Sequence, residues 1–339
     1  MLFRNAELIL AFMSILLNIC CKSGHLINES KVMLDTLVIR DYEFAKARIF
    51  FIDSVYRYYY EQGFSQDVQT WQPNALNNIT ELEVFITASY AYRDAFKAIA
   101  AINPDKYINL TDEQLDTVTI TPGVLESRAM RALNPDNDYH YDPLKGILTL
   151  NQSIFNQDIL AVSYKTIDRK IGEFSYELSA DKSILVTRLI KPQALVPAYN
   201  DTWSLTMRNV YSIPDSVYSK SYFNIKIGFQ TENGLRFTQN DTEQYTYLNL
   251  FGLDRVNHDG NYISAGDGII DANSNIFNKE LGLLFFPGLT PFNPEPGSRF
   301  QISDDTRVNI YNTLDPDAIK NNSRFRILCF YPSDKSSEF

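Results

Sequence analysis

The stretch LNLFGLDRVNHDGNYISAGDGIIDAN, Leu248 to Asn273, gathers the residue types best suited to chemistry. Asp254, Asn257, His258, Asp259, Asp267 and Asp271 stand there among glycines, between apolar flanks. Oxygen donors at such density suit a hard cation, above all calcium, which takes six to eight oxygens. The NHDG run sets Asn257, Asp259 and Gly260 where an EF-hand-type loop has its third, fifth and sixth positions. The first and twelfth positions then fall on Arg255 and Gly266, and neither supplies a carboxylate. A looser cage remains, with Asp254, Asn257 and Asp259 from one turn and Asp267 and Asp271 from the next. Ordinary turns need the same residues, because Asp and Asn bond their own backbone and Gly supplies positive φ. The turn reading is preferred, and a calcium cage is its alternative.

Catalysis has less to work with. No G-x-S-x-G elbow, P-loop or Rossmann glycine pattern occurs. The pairs Glu81/Glu83 and Asp304/Asp305 have the composition of a glycosidase acid and nucleophile. That chemistry needs two carboxylates flanking a bond, which adjacency in sequence does not establish. With 41 acidic residues, such pairs arise by chance. His25, His140 and His258 share no ligand spacing, and Cys20, Cys21 and Cys329 build neither a disulfide framework nor a zinc site. The chain is expected to be non-enzymatic, with no cofactor other than calcium.

The elements that must position these residues read as mostly β. The 45% hydrophobic content of the 339 residues excludes a disordered chain. Tyr and Phe (21 and 22) far outnumber Trp (2), which favours strands and interfacial surfaces. A net charge of −10 argues against nucleic acid, whose phosphates call for a basic surface. ELEVFITASYAY alternates Leu82, Val84 and Ile86, and GILTLN and DILAVSYK are apolar and β-branched. The run from Ile167 to Lys170 reads as a hairpin turn. Phe223, Ile225, Ile227 and Phe229 line one strand face, and LGLLFFPGL is a short apolar strand. Thr111 and Gln114 have the spacing of a capping box and predict a short helix. Arg48 to Phe64 is ambiguous between strand and helix. KPQALVPAYN, with two prolines, predicts a linker near 191–200.

The expected fold is therefore mainly β, with antiparallel sandwich-like domains and one or two short helices. Residues 1–30 form a leader or separate segment, 31–190 a first β-rich region and 200–339 a second. Leu8 to Leu17 has the length of a signal-peptide apolar core and falls short of a membrane span. A cleaved signal and a buried helix both remain open.

Several blocks together resemble one family. They are RDYEFAKARIFFIDSVYRYYYEQGF with NNITELEVFITAS, then YDPLKGILTLNQSIFNQDILAVSYKTIDRKIGEFS. DTWSLTMRNVYSI follows, departing from the family's P-T-W-D-L-M-x-K-N-V-Y-S at Asp201 and Ser204. Next come LNLFGLDRVNHDGNYISAGDGIIDAN through GLLFFPGLTPF, and last NNSRFRILCFYPSDKSSEF. In this order they are similar to the SprA (Sov) family of Bacteroidetes, over nearly everything from about residue 38 onward. The resemblance implies a part in the outer-membrane translocon of the type IX secretion system, in protein secretion and in gliding motility. It implies other type IX components and secreted cargo as partners, and a place at the outer membrane or cell surface. The chain is far shorter than the family's complete barrels, so it reads as an internal piece of such a protein. The rival reading is a secreted β-sandwich that binds glycans or a surface protein through tyrosine-rich faces.

Overall fold

A computed structural model describes residues 33–64, 77–220, 222–239 and 244–333. The apolar N-terminal run, Cys20, Cys21 and His25 lie outside the described residues. Two compact units are distinguished: Asp35–Tyr331, and a smaller one made of the two chain ends. In the smaller unit the Ser333 amide donates to the Met33 carbonyl. Everything that follows concerns the larger unit.

The fold is mainly β, built of antiparallel sheets with a few short helices. Its largest sheet contains β3 (Glu81–Thr87), β4 (Phe96–Ala101), β5 (Leu125–Ala132), β8 (Leu160–Lys165), β9 (Lys170–Ile171) and β10 (Ile184–Lys191). β3 pairs with β5 and β8, β5 with β4, β4 with β10, and β10 again with β8. Five strands thus form a closed circuit, with β9 appended to β8 through the expected hairpin. The layers of a sandwich are here joined edge to edge. Within this sheet only the β10–β4 pair is parallel.

Closure leaves little room inside a five-stranded circuit, so small residues are needed there. One apolar cluster draws on all five strands: Phe85, Ala98, Ala100, Met130, Ala161, Leu185 and Leu189, with Ile159 just before β8. A cluster with members from every strand is the interior. The alternate residues of β4 and β10, Ile99, Ala101, Ile184 and Val186, face outward onto Leu115. Leu115 belongs to the helix Asp112–Asp116, and the capping box forms as expected. Thr111 Oγ1 accepts the Gln114 amide, and Gln114 Oε1 accepts the Thr111 amide.

The ambiguous segment resolves into both states. β2 (Ile49–Phe51) is followed by Asp53, which caps the helix Ser54–Gly63 by accepting the Val55 amide. Tyr56 and Tyr60, continued by Phe64 just past the last turn, are the buried stripe of this helix. Asp53 also accepts the Tyr164 hydroxyl at 2.9 Å and pairs with Arg188 at 3.3 Å, tying the helix to β8 and β10.

Three smaller sheets complete the unit. β2, β7 (Ile147–Leu150) and β6 (Tyr139–Asp142) form one, and β11 (Val210–Ser212), β15 (Leu283–Phe285) and β14 (Phe277–Asn278) another. The third runs in the order β1 (Leu34–Arg40), β16 (Phe325–Pro332), β12 (Asn224–Thr231), β13 (Gly234–Arg236). On β12, Ile225 and Ile227 are buried as the alternation predicts.

The main apolar cluster takes residues from both sides of 191–200, from Val84 and Val162 to Ile227 and Phe325. The segment expected as a linker therefore lies within one compact unit. Lys191 pins its start: the buried ammonium donates to the carbonyls of Asn156, Asp158 and Pro192. Among the described residues, no helix is long and apolar enough to cross a membrane.

Candidate functional site

The Asp/Gly stretch begins with a short helix, Tyr247–Leu250, whose cap Thr246 accepts the Asn249 amide. Beyond Phe251 the chain abandons regular structure for some twenty residues. Buried backbone amides outside a ladder still need acceptors, and here the aspartates supply them. Asp254 is fully buried, and its two oxygens accept the amides of Asp267 and Gly268, each at 2.9 Å. Asp271 is 3% exposed and accepts the amides of Arg255 and Val256 at 3.0–3.1 Å. The Asp271 amide returns a bond to the Leu253 carbonyl, and Asn249 Nδ2 donates to the Asp254 carbonyl at 2.6 Å. The two carboxylates bracket the base of the loop from opposite strands of chain.

The tip is a separate structure. Asn257 Oδ1 accepts the amides of Asp259 and Asn261, which is the side-chain turn its residue type favours. Asp259 and His258 are exposed there, with 3.7 Å between Nδ1 and Oδ1. Gly260, Gly266 and Gly268 all have positive φ. At Gly266 the requirement is double, because a Cβ would sit 2.2 Å from Asp254 Oδ2.

Of the five residues expected to share a cation, Asp267 lies near enough to act on the Asp254 carboxyl, and both lie near enough to act on that of Asp271. Asn257 and Asp259 belong to the tip. Among the described residues, no three His, Cys, Asp or Glu side chains are grouped so as to hold a metal ion. Burial raises the Asp254 carboxyl above the usual carboxylate range, against the pull of its two amide donors. Burial, helped by the charges of Asp254 and Asp267, pushes Asp271 up to about 6.

Glu81, Glu83 and Asp304 are also engaged. Glu81 Oε2 meets Lys165 Nζ at 2.5 Å and its Oε1 accepts the Tyr176 hydroxyl. Glu83 accepts both the amide and the hydroxyl of Ser175. Asp304 pairs with Arg307 at 3.0 Å on the surface. Burial pushes the Cys329 thiol up to about 12, which leaves it protonated and unreactive at neutral pH.

Sequence reasoning passed over another buried carboxylate, Asp41. Its Oδ2 accepts the amides of Arg324 and Phe325, each at 2.8 Å, and so joins the start of the chain to β16. No local pattern marks it, because its partners are nearly three hundred residues away. Compared with models of known protein families and with curated proteins, the chain matches none.

Proposed function

We propose that this chain is a non-enzymatic part of a SprA/Sov-type outer-membrane translocon of the type IX secretion system, serving protein secretion and gliding motility. The observation that carries the reading is the order of the sequence blocks, from RDYEFAKARIFF to NNSRFRILCFYP. The work these blocks do is in keeping with a scaffold. Asp41 in the first block and Asp254 and Asp271 in the fourth hold backbone. In the third, Asn209 Nδ2 donates to the Phe286 carbonyl and the Tyr211 hydroxyl to the Asp41 carbonyl. Its partners are other type IX components and secreted cargo, and its place is the outer membrane or cell surface.

An in-frame deletion in the source organism tests this, read by the export of type IX cargo and by colony spreading. Both should fall and return on complementation. Export and spreading unchanged by the deletion would sink the proposal. Reading frames that continue the family pattern directly downstream would mark a divided translocon gene.

A further inference from the structure

A cavity of about 470 Å³ opens between the 42–50 segment, the 203–208 segment and the 310–320 segment. This is within the ~300–1,000 Å³ of small-molecule sites. Its wall is largely aromatic and aliphatic: Tyr42, Phe44, Phe50, Trp203, Tyr311 and Ile319. In a chain of net charge −10, the lining holds four cations, Lys46, Lys191, Arg208 and Lys320, and no Asp or Glu. Nearby Asp315 is turned to capping its own helix, where it accepts the Asp317 amide.

The cations are not equivalent. Lys191 is spent on three carbonyls. Lys46 lies over the Tyr42 and Phe44 rings. Arg208 stacks on Trp203, its guanidinium carbon 3.8 Å from the ring centroid. Its Nη1 donates to the Trp203 and Thr206 carbonyls, which leaves Nη2 and Nε for another acceptor. No described carboxylate pairs with it, and both burial and the charge of Arg57 depress its pKa. Beside it Thr206, 8% exposed, has a buried hydroxyl with no partner. A buried unsatisfied hydroxyl is costly unless a ligand supplies the missing bond.

We propose that this cavity binds an amphiphilic monocarboxylate, its acyl chain along the aromatic wall and its carboxylate held by Arg208 and the Thr206 hydroxyl. The guanidinium offers a charge-assisted bond in a site partly closed to water, where such bonds are strongest. The apolar body replaces water on surface that nothing else covers. This inference does not depend on the translocon reading.

Titration of the full chain with decanoate, followed by calorimetry and by Trp203 fluorescence, is the test. Decanoate should bind, and decanol, with the same body and no charge, should bind at least about tenfold more weakly. Arg208→Gln should lose a similar factor while keeping its stack on Trp203. Should that variant not fold, Leu314→Trp serves instead, since Leu314 is 54% exposed at the cavity and tolerates a larger side chain. It should block decanoate by filling the space. Absence of decanoate binding, equal binding of decanol, or unchanged affinity in the variant that folds would each overturn the proposal.

Discussion

The five-stranded circuit and the region from Asn200 to Asn322 bury their backbones by different means. In the circuit, ladders of three to six paired residues satisfy the amides, and the interior is filled by alanines and a few large apolar side chains. Beyond Asn200 most strands have two or three residues, and long irregular stretches join them and a few short helices. There, buried Asp and Asn side chains take over the duty of the missing strands. A network of rings fills the space: Phe251 lies 5.2–5.8 Å from Phe286, Phe292 and Phe325, and Phe292 stacks on Phe325 at 4.7 Å. A chain can thus bury a long irregular stretch if polar side chains replace the ladder and large rings replace regular packing. The consequence is dependence on single residues.

That dependence predicts the largest effect. Phe251→Ala removes a fully buried ring at the centre of the network and should cost about 3–5 kcal/mol in denaturant unfolding. Within the circuit, Leu189→Ala should cost about 2–5 kcal/mol, less than Phe251→Ala if the tight interior collapses onto the gap. A loss below about 1 kcal/mol for Phe251→Ala would break the comparison.

Next comes the bracket. Gly266→Ala combines a positive φ, worth about 1–3 kcal/mol for a residue with a side chain, with a collision against Asp254. Gly268→Ala has the same backbone problem and nothing within 4 Å of the new Cβ. The difference between the two variants isolates the contact with Asp254. Equal losses would mean that the carboxylate moves aside freely.

The third effect depends on pH. The Asp271 carboxyl titrates near 6 in the fold, against an ordinary 3.8. A raised carboxyl favours the folded state when protonated. Its contribution is complete below about 4 and is lost as pH rises through about 6. Wild type should therefore lose stability relative to Asp271→Asn between pH 4 and 7, by up to about 3 kcal/mol, because asparagine does not titrate. A flat difference would show Asp271 to be charged throughout. At neutral pH the same pair separates bracket from cage. With its oxygens already on amides, the bracket should show no rise in Tm with millimolar calcium. A ~10 μM site would add about 2.7 kcal/mol.

Two strands of the circuit, β3 and β8, were legible because their apolar pattern is local, whereas β4, β5 and β10 carried no comparable signal. β8, the turn after it and the Thr111–Gln114 box are written within a few residues each, as is β7 in a neighbouring sheet. The helix Ser54–Gly63 also had a local signal, Asp53 as cap with Tyr56, Tyr60 and Phe64 at four-residue spacing. Its tyrosines look equally at home in a strand, so the segment stayed ambiguous. Closure of the circuit was not legible, since β10 must find β4 more than eighty residues back. For the Asp/Gly stretch, residue types favoured an elaborate turn over a calcium cage. They did not show that Asp254 and Asp271 hold backbone while Asn257 and Asp259 form a separate tip. The 191–200 segment carries a linker's prolines, yet Lys191 anchors it through carbonyls that no local pattern reveals.

The smallest effect compares the two regions through caps of the same chemistry. Thr111 caps the helix that covers the outer face of the circuit, and Thr246 the helix that leads into the ring network. An N-cap threonine replaced by alanine typically costs about 1 kcal/mol. At Thr111 the loss should stay near that figure, because only Leu115 of that helix is buried. In addition, Gln114→Ala in the Thr111→Ala background should cost less than in wild type, since each bond of the box supports the other. At Thr246 the same bond positions Tyr247, Leu248 and Asn249, all buried, and Asn249 in turn holds the Asp254 carbonyl. Thr246→Ala should therefore cost more than Thr111→Ala and should weaken the Asp267 and Gly268 amides in hydrogen exchange. If instead the two losses are equal and exchange is unchanged, the cap acts locally in both regions. The irregular half would then be as modular as the circuit.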